Sequence, residues 1–106
     1  MDAAADLFRT LGDTTRRGLF ERLARDGEMS VGDLTRGTEV SQPAVSQHLK
    51  ALRTAGLVSE ERRGRQVLYS ARPEGLRPLV DWMGFYAAFW RDRFDALEDT
   101  LKRMDQ

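Results

Sequence analysis

One stretch carries most of the local information about the fold: residues 41–56, Ser-Gln-Pro-Ala-Val-Ser-Gln-His-Leu-Lys-Ala-Leu-Arg-Thr-Ala-Gly. Because Pro43 has no N–H, we expect the Ser41 hydroxyl to cap the N–H of Ala44 and begin a helix there. Gly56 is well placed to end that helix in the left-handed conformation. At about 100° per residue, the apolar side chains of this stretch fall within one arc about 60° wide. They are Val45, Leu49 and Leu52.

The side of this predicted helix that points outward is rich in hydrogen-bond donors. Gln42, Ser46, Lys50 and Arg53 share a neighbouring arc that carries two cations and no carboxylate. The small residues at the start of the helix would let it approach another surface closely. A solvated helix face is the alternative interpretation, since most amphipathic helices expose polar side chains.

The segments on either side complete a pattern. Ser30, with Asp33 at capping-box spacing, predicts a short helix that ends near Gly37. Strand-favouring residues occupy 57–62 and 66–69, around a turn at Arg63-Gly64. A helix, a second helix and a hairpin in this order predict an α+β, mostly helical winged helix-turn-helix. We expect its helix-turn-helix at about 30–56 and its two-stranded wing at 57–70.

Helices are also predicted before and after this core. Asp2 caps a first helix that ends at Gly12, and Asp13 begins a second that ends near Asp26-Gly27. A last helix begins at Pro73 or Pro78 and reaches about residue 104. Its apolar arc widens to roughly 200° between residues 82 and 90, although one small domain covers only about half of a helix.

The surplus aromatic surface predicts a dimer interface shared by the first and last helices. An intradomain core and a small apolar ligand pocket, and hence an unidentified small-molecule effector, remain as alternatives. The predicted interface residues are Leu7, Phe8, Leu11, Trp82, Phe85, Tyr86, Phe89, Trp90 and Phe94.

Composition excludes several function classes. The chain has 106 residues with no cysteine and one histidine, so we expect one domain, no metal site and no cofactor. His48 lies toward the buried side of its helix, which favours packing or a phosphate contact over a ligand or base role. No nucleophile elbow or glycine-rich phosphate loop is present, so catalytic residues and an enzymatic role are not expected. No signal peptide or membrane span is recognisable, which predicts a soluble cytoplasmic protein without a membrane partner.

The charge distribution points to double-stranded DNA. The 17 Lys and Arg residues balance the 17 Asp and Glu residues over the whole chain. Residues 41–66, in contrast, hold five cations and two carboxylates, a net charge of +3. A helix in the major groove and a basic hairpin on the flanking groove fit this polarity. A winged-helix module that binds protein without binding DNA is the alternative.

The chain resembles the ArsR family of bacterial winged-helix repressors from about Leu7 to Tyr69. The matching stretches are residues 11–17 (LGDTTRR), 41–49 (SQPAVSQHL) and 50–58 (KALRTAGLV). The resemblance implies a homodimer joined through its first and last helices that binds a palindromic operator and represses transcription. Metal-sensing relatives carry Cys-Val-Cys where this chain has Ser30-Val31-Gly32, so it is similar to the metal-independent branch.

On this basis the side chains of the predicted interface divide into two groups. Those nearest the base edges are Gln42, Pro43, Ala44, Ser46 and Gln47. Those mainly on phosphate or the flanking groove are Ser41, Lys50, Arg53, Arg62, Arg63 and Arg65.

Overall fold

Five α-helices, a short 3-10 turn and a small antiparallel sheet form residues 2–105, the part of the chain that the computed structural model describes. In chain order the elements are α1 (Ala3–Gly12), α2 (Thr14–Asp26), β1 (Met29–Ser30), α3 (Val31–Arg36), α4 (Gln42–Thr54), β2 (Val58–Arg63), β3 (Gln66–Ala71), the 3-10 turn (Pro73–Leu76) and α5 (Arg77–Met104). The predicted α+β, mostly helical winged-helix fold is confirmed.

Side-chain caps begin four of the helices at the residues that the sequence predicted. Asp2 accepts from the N–H groups of Ala4 and Ala5, and Asp13 accepts from Arg16 N. Ser30 Oγ accepts from Asp33 N at 3.1 Å, and Ser41 Oγ accepts from Ala44 N at 3.3 Å. Each cap satisfies a backbone donor that its helix leaves unpaired, so the helix starts are fixed locally.

The sheet has the strand order β1-β3-β2, with both pairings antiparallel. Its β2–β3 hairpin is the predicted wing, and Gly64, with φ +60°, takes the first position of the two-residue turn Gly64-Arg65. The turn therefore lies one residue later than predicted. Strand β1 was not predicted, because two residues are too few to show an alternating pattern; Met29 pairs with Tyr69 and Ser30 with Leu68.

One apolar core lies between α2, α3, α4 and the base of the wing. Leu34, Val45, Leu49, Leu52 and Leu57 are 0% exposed. They pack with Leu7, Leu19, Phe20, Leu23 and Val58 in a single cluster. Leu7 was expected at a dimer interface and is instead 3% exposed within this cluster, because the inner side of α1 faces the core of its own chain. Leu11 is half-buried and packs against the same cluster.

Helix α5 leaves this core soon after it begins. Pro73 opens the 3-10 turn and Pro78 lies in the first turn of α5, so each candidate proline starts a helical segment. Leu76 and Leu79 pack against the core, but no described residue of α5 is itself buried. A helix of 28 residues is about 42 Å long. It explains why the molecule measures 66 × 34 × 23 Å.

Among residues 2–105, no helix combines the length and apolar character that a membrane span requires.

Candidate nucleic-acid interface

The outer side of α4 is open to solvent along its length. Ala44 is half-buried, whereas the other polar or small side chains predicted on this helix are exposed. The exposed set is Ser41, Gln42, Pro43, Ser46, Gln47, Lys50 and Arg53. This surface presents hydroxyl, amide and cationic groups at helical spacing, which are the groups that can hydrogen-bond to base edges and phosphates.

The inner side of α4 fixes the orientation of that surface. Val45, Leu49 and Leu52 are 0% exposed and pack against α2 and α3. Arg22 of α2 donates to the carbonyl oxygens of Leu34 and Asp33 at 3.0 and 3.1 Å. Because these carbonyls lie in α3, the arginine ties α2 to α3, and α4 is held on this base by its buried side chains.

His48 is half-buried beside α2, on the side of α4 that the sequence indicated. Its Nδ1 accepts a hydrogen bond from Arg16 Nε at 3.3 Å. Arg16 also donates to the carbonyl oxygen of Thr10 at 3.5 Å. The histidine therefore belongs to a contact between helices, and the described residues hold no group of three His, Cys, Asp or Glu side chains that could bind a metal ion.

The three arginines of the wing differ in their surroundings. Arg62 and Arg65 are exposed and form no ion pair with any of residues 2–105. Arg63 Nη2 lies 2.7 Å from Glu28 Oε2 and 3.1 Å from Glu61 Oε2. The hydrogen bond from Arg63 holds the pKa of Glu61 below its usual value, and the two carboxylates raise the pKa of Arg63. The sequence did not indicate this difference, because Glu28 is 35 residues away.

A third carboxylate, that of Glu60, contacts α4 itself. Arg53 forms an ion pair with Glu60 Oε1 on β2, and Tyr69 Oη donates to Glu60 Oε2 at 3.0 Å. Glu60 and Tyr69 are register partners in the hairpin. Burial, followed by the contact with Glu60, raises the pKa of Tyr69, which keeps the phenol protonated as a donor. The carboxylate-free face of α4 thus receives a carboxylate from the wing.

A groove of about 500 Å³ separates α1 from α4 at the end of this surface. Gln47 and Lys50 line it from α4, and Arg9 and Asp6 line it from α1. Arg9 is 2.9 Å from Asp6 and its side chain is 75% exposed. Sequence reasoning missed Arg9 as a neighbour of the predicted interface, since nothing local to α1 places it beside Lys50.

The predicted dimer face lies on α1 and on residues 82–94 of α5. Its aromatic members on α5 are all exposed: Trp82, Phe85, Tyr86, Phe89, Trp90 and Phe94, hereafter the aromatic belt. Phe8 of α1 joins the belt through an edge-to-face contact with Trp82, with ring centroids 5.0 Å apart. An open cavity of about 360 Å³ is lined by Trp82, Met83, Tyr86 and Trp90.

Comparison with known proteins matches residues 13–60 to the model of the family described as bacterial regulatory protein, arsR family. An HTH-type transcriptional regulator, Rv2034, of Mycobacterium tuberculosis is 49% identical over 72 residues, which are 68% of this chain and 66% of that protein. The transcriptional repressor SdpR of Bacillus subtilis is 32% identical over 78 residues, which are 74% of this chain and 86% of that protein. The matched part of the chain thus spans slightly less than two thirds of the mycobacterial relative.

Solved structures of ArsR-like regulators are similar to this chain over more of its length. An ArsR-like transcriptional regulator from Rhodococcus sp. RHA1 superimposes with a TM-score of 0.72 at 30% identity and covers 92% of each chain. Some curated relatives are named as arsenic resistance regulators.

Proposed function

Since the chain belongs to the ArsR family of bacterial regulatory proteins, we propose that it represses transcription as a homodimer on a palindromic operator, without sensing metal. Its relatives are named as transcription regulators and repressors, and a DNA-binding regulator with a helix-turn-helix is the function that these names support. The names of these relatives denote regulators and not enzymes. The cytoplasm, which holds bacterial DNA, is the proposed location.

The observation that carries the proposal is the exposed outer side of α4 beside a basic wing. Gln42 and Ser46 present an amide and a hydroxyl that can read base edges in a major groove. Lys50, Arg62 and Arg65 form no ion pair within residues 2–105, so they are available to phosphates. We assign base contacts to Gln42, Pro43, Ala44, Ser46 and Gln47, and backbone or flanking-groove contacts to Ser41, Lys50, Arg53, Arg62, Arg63 and Arg65.

A second copy of the chain is proposed as the partner of the aromatic belt. Exposed aromatic surface of this extent is typical of an interface rather than of a free surface. A two-fold dimer would set the two α4 helices in successive major grooves, about 34 Å apart. A small apolar ligand in the cavity beside Trp82 and Trp90 would be an effector bound at that same interface, which we retain as the alternative use of this surface.

Metal independence is proposed from this chain's own residues, because family membership does not decide it. Thiolate ligands are excluded by the absence of cysteine from all 106 residues. One histidine cannot supply the usual zinc ligand set. We also propose that the chain forms one winged-helix domain, whose last helix provides the dimer interface.

Selection of binding sites from random duplex DNA tests the proposal most directly, because one experiment reports binding, symmetry and half-site spacing. We expect a palindrome with half-sites about one helical turn apart.

The salt dependence of binding is a second test. If each subunit neutralises three to five phosphates, log K should fall with log salt at a slope of roughly −5 to −9. A winged helix that binds only protein would instead recover no duplex at low salt.

Two truncations on α4 then test the assigned base contacts. Gln42→Ala and Ser46→Ala should each bring the affinity for the selected site closer to that for random DNA by about 1–3 kcal/mol. Thr100→Ala, which truncates an exposed polar side chain on α5, is the matched control and should leave both affinities unchanged. If all three variants distinguish the selected site from random DNA as well as the unmodified chain does, Gln42 and Ser46 do not read bases.

A further inference from the structure

Two cations on the proposed DNA side are already occupied within the chain. Arg53 is paired with Glu60, and Arg63 is paired with Glu28 and Glu61. The carboxylates engage Nη1 of Arg53 and Nη2 of Arg63, so they occupy donors that a phosphate would otherwise use. Lys50, Arg62 and Arg65, in contrast, have no such partner among the described residues.

We propose that Glu60, Glu28 and Glu61 act as internal substitutes for phosphate and thereby weaken the binding of the chain to non-operator DNA. The inference rests on the proposed function. Arg53 and Arg63 would contribute to binding only where a phosphate is held close enough to displace the carboxylate. On unmatched DNA, the chain would bind with its unpaired cations alone.

The energies involved suit such a competition. The two partners of the Arg53–Glu60 pair are 46% and 37% exposed, and Arg63 is 53% exposed. Ion pairs as exposed as these are weak, so a well-positioned phosphate can replace the carboxylate. A phosphate that lies too far from Arg53 or Arg63 cannot. The paired arginines therefore add to binding only when the groove geometry is right, which is a contribution to specificity.

The contacts of Glu60 favour this role over incidental surface pairing. One oxygen accepts from Arg53 and the other from Tyr69, so the carboxylate is held in place from both sides. Tyr69 lies opposite Glu60 across the hairpin, which keeps the carboxylate beside the last turn of α4. A carboxylate fixed in this way stays next to the arginine rather than moving away into solvent.

The decisive measurement is the salt dependence of binding to a random-sequence 30-base-pair duplex, which needs no knowledge of the operator. Glu60→Gln should steepen the slope of log K against log salt by about 0.9 per subunit, because each additional phosphate contact releases that fraction of a counterion. The affinity at 0.1 M salt should rise by about 10- to 60-fold for the dimer. Glu21→Gln, which removes the partner of Arg17 on α2, is the matched control for the change in net charge. It should change the slope much less than Glu60→Gln does.

A second background separates release of Arg53 from simple repulsion between Glu60 and DNA. In an Arg53→Gln chain, the same Glu60→Gln change should leave the slope unchanged, since no guanidinium is set free. An equal change of slope in both backgrounds would overturn the proposal for Glu60. The double variant Glu28→Gln/Glu61→Gln tests Arg63 independently and should also steepen the slope.

The two proposals fail in different ways. If the unmodified chain binds no duplex at low salt, the proposed function is wrong. If it binds with the expected slope, but Glu60→Gln and Glu28→Gln/Glu61→Gln behave like Glu21→Gln, the carboxylates have no such role and the inference alone is wrong.

Discussion

Residues 2–76 and helix α5 use similar apolar side chains in opposite ways. In the first region, leucines and valines at helical spacing pack into one core, and several are completely buried. In α5, an equally regular stripe of leucines, methionines and aromatic rings is at least 41% exposed beyond Leu79. The comparison teaches that periodicity identifies an apolar face but does not say which molecule covers it.

The width of the apolar arc is what separates the two regions. Helix α4 has an inner arc of three residues, which its own chain covers entirely. The arc of α5 spans roughly 200° where the aromatic belt joins the stripe, more than one neighbouring surface can cover. Only its start, at Leu79, packs against the core. Beyond that start, α5 contacts its own chain through α1, as in the packing of Trp82 on Phe8.

The largest expected effect comes from shortening one leucine in each region. Leu23→Ala, at a side chain that is 2% exposed, should lower the free energy of unfolding by about 2–5 kcal/mol, because it leaves a cavity in the core. Leu101→Ala, at a side chain that is 53% exposed, should lower the free energy of unfolding of the monomer by less than about 1 kcal/mol. Urea unfolding at low and high protein concentration measures both.

Concentration distinguishes the two leucines further. The loss from Leu23→Ala should be nearly the same at every concentration, whereas any loss from Leu101→Ala should grow as the chains associate. Equal losses for both variants in dilute protein would mean that α5 belongs to the core of its own chain.

A charge placed in the aromatic belt should give the next largest effect. Phe89→Glu should raise the dissociation constant of the proposed homodimer by about 30- to 1,000-fold, since it removes a large apolar contact and buries a carboxylate without a partner. Sedimentation velocity over a dilution series measures the shift. Ala88→Glu adds the same charge one residue earlier, about 100° around the helix, and should leave the constant nearly unchanged. An unmodified chain that sediments as a monomer at all concentrations would refute the interface.

Structural features that depend on residues close together in the chain could be predicted from the sequence. The four helix caps, the left-handed Gly56 and the hairpin are set by contacts within a few positions, and the structure contains each of them. The fold followed from these elements and their order. The position of the wing turn was wrong by one residue, because the sequence did not show that Arg63 would complete a strand pair with Gln66.

Contacts between distant residues were not predictable in the same way. The pairing of β1 with β3, the burial of Leu7 and the ion pair of Arg63 with Glu28 each join segments that meet only after folding. For the candidate site, the exposed polar face of α4 was therefore predictable, but the pairing of Arg53 and Arg63 with carboxylates was not.

A smaller effect is expected at the boundary between the two regions. A Cβ on Gly75, in the 3-10 turn before α5, would overlap the backbone carbonyl of Gly56 after α4. Gly75→Ala should therefore cost about 1–3 kcal/mol, because backbone on both sides must shift. Gly18→Ala is the control: a Cβ there meets nothing within 4 Å, and the change should stabilise α2 by about 0.5–1 kcal/mol. Thermal unfolding of the two variants should shift in opposite directions.

The smallest effect concerns acid, and it should be confined to the first region. The hydrogen bond from Arg16 N lowers the pKa of Asp13, and the hydrogen bond from Ser30 lowers that of Asp33. A carboxyl whose pKa is lower when folded stabilises the protein above its unfolded pKa of about 3.9, and the contribution disappears as the pH falls through the folded value. Acid should thus weaken the starts of α2 and α3.

The measurement is unfolding of Asp13→Asn and Asp33→Asn between pH 7 and pH 2. Each variant should lose stability less steeply than the unmodified chain below about pH 4, because the proton-linked part has been removed. Asp99→Asn, in exposed α5, is the matched control for loss of one aspartate and should follow the unmodified curve. If Asp99→Asn flattens the curve as much as the cap variants do, the acid sensitivity comes from the overall charge and not from the caps, and the two regions do not differ in this respect.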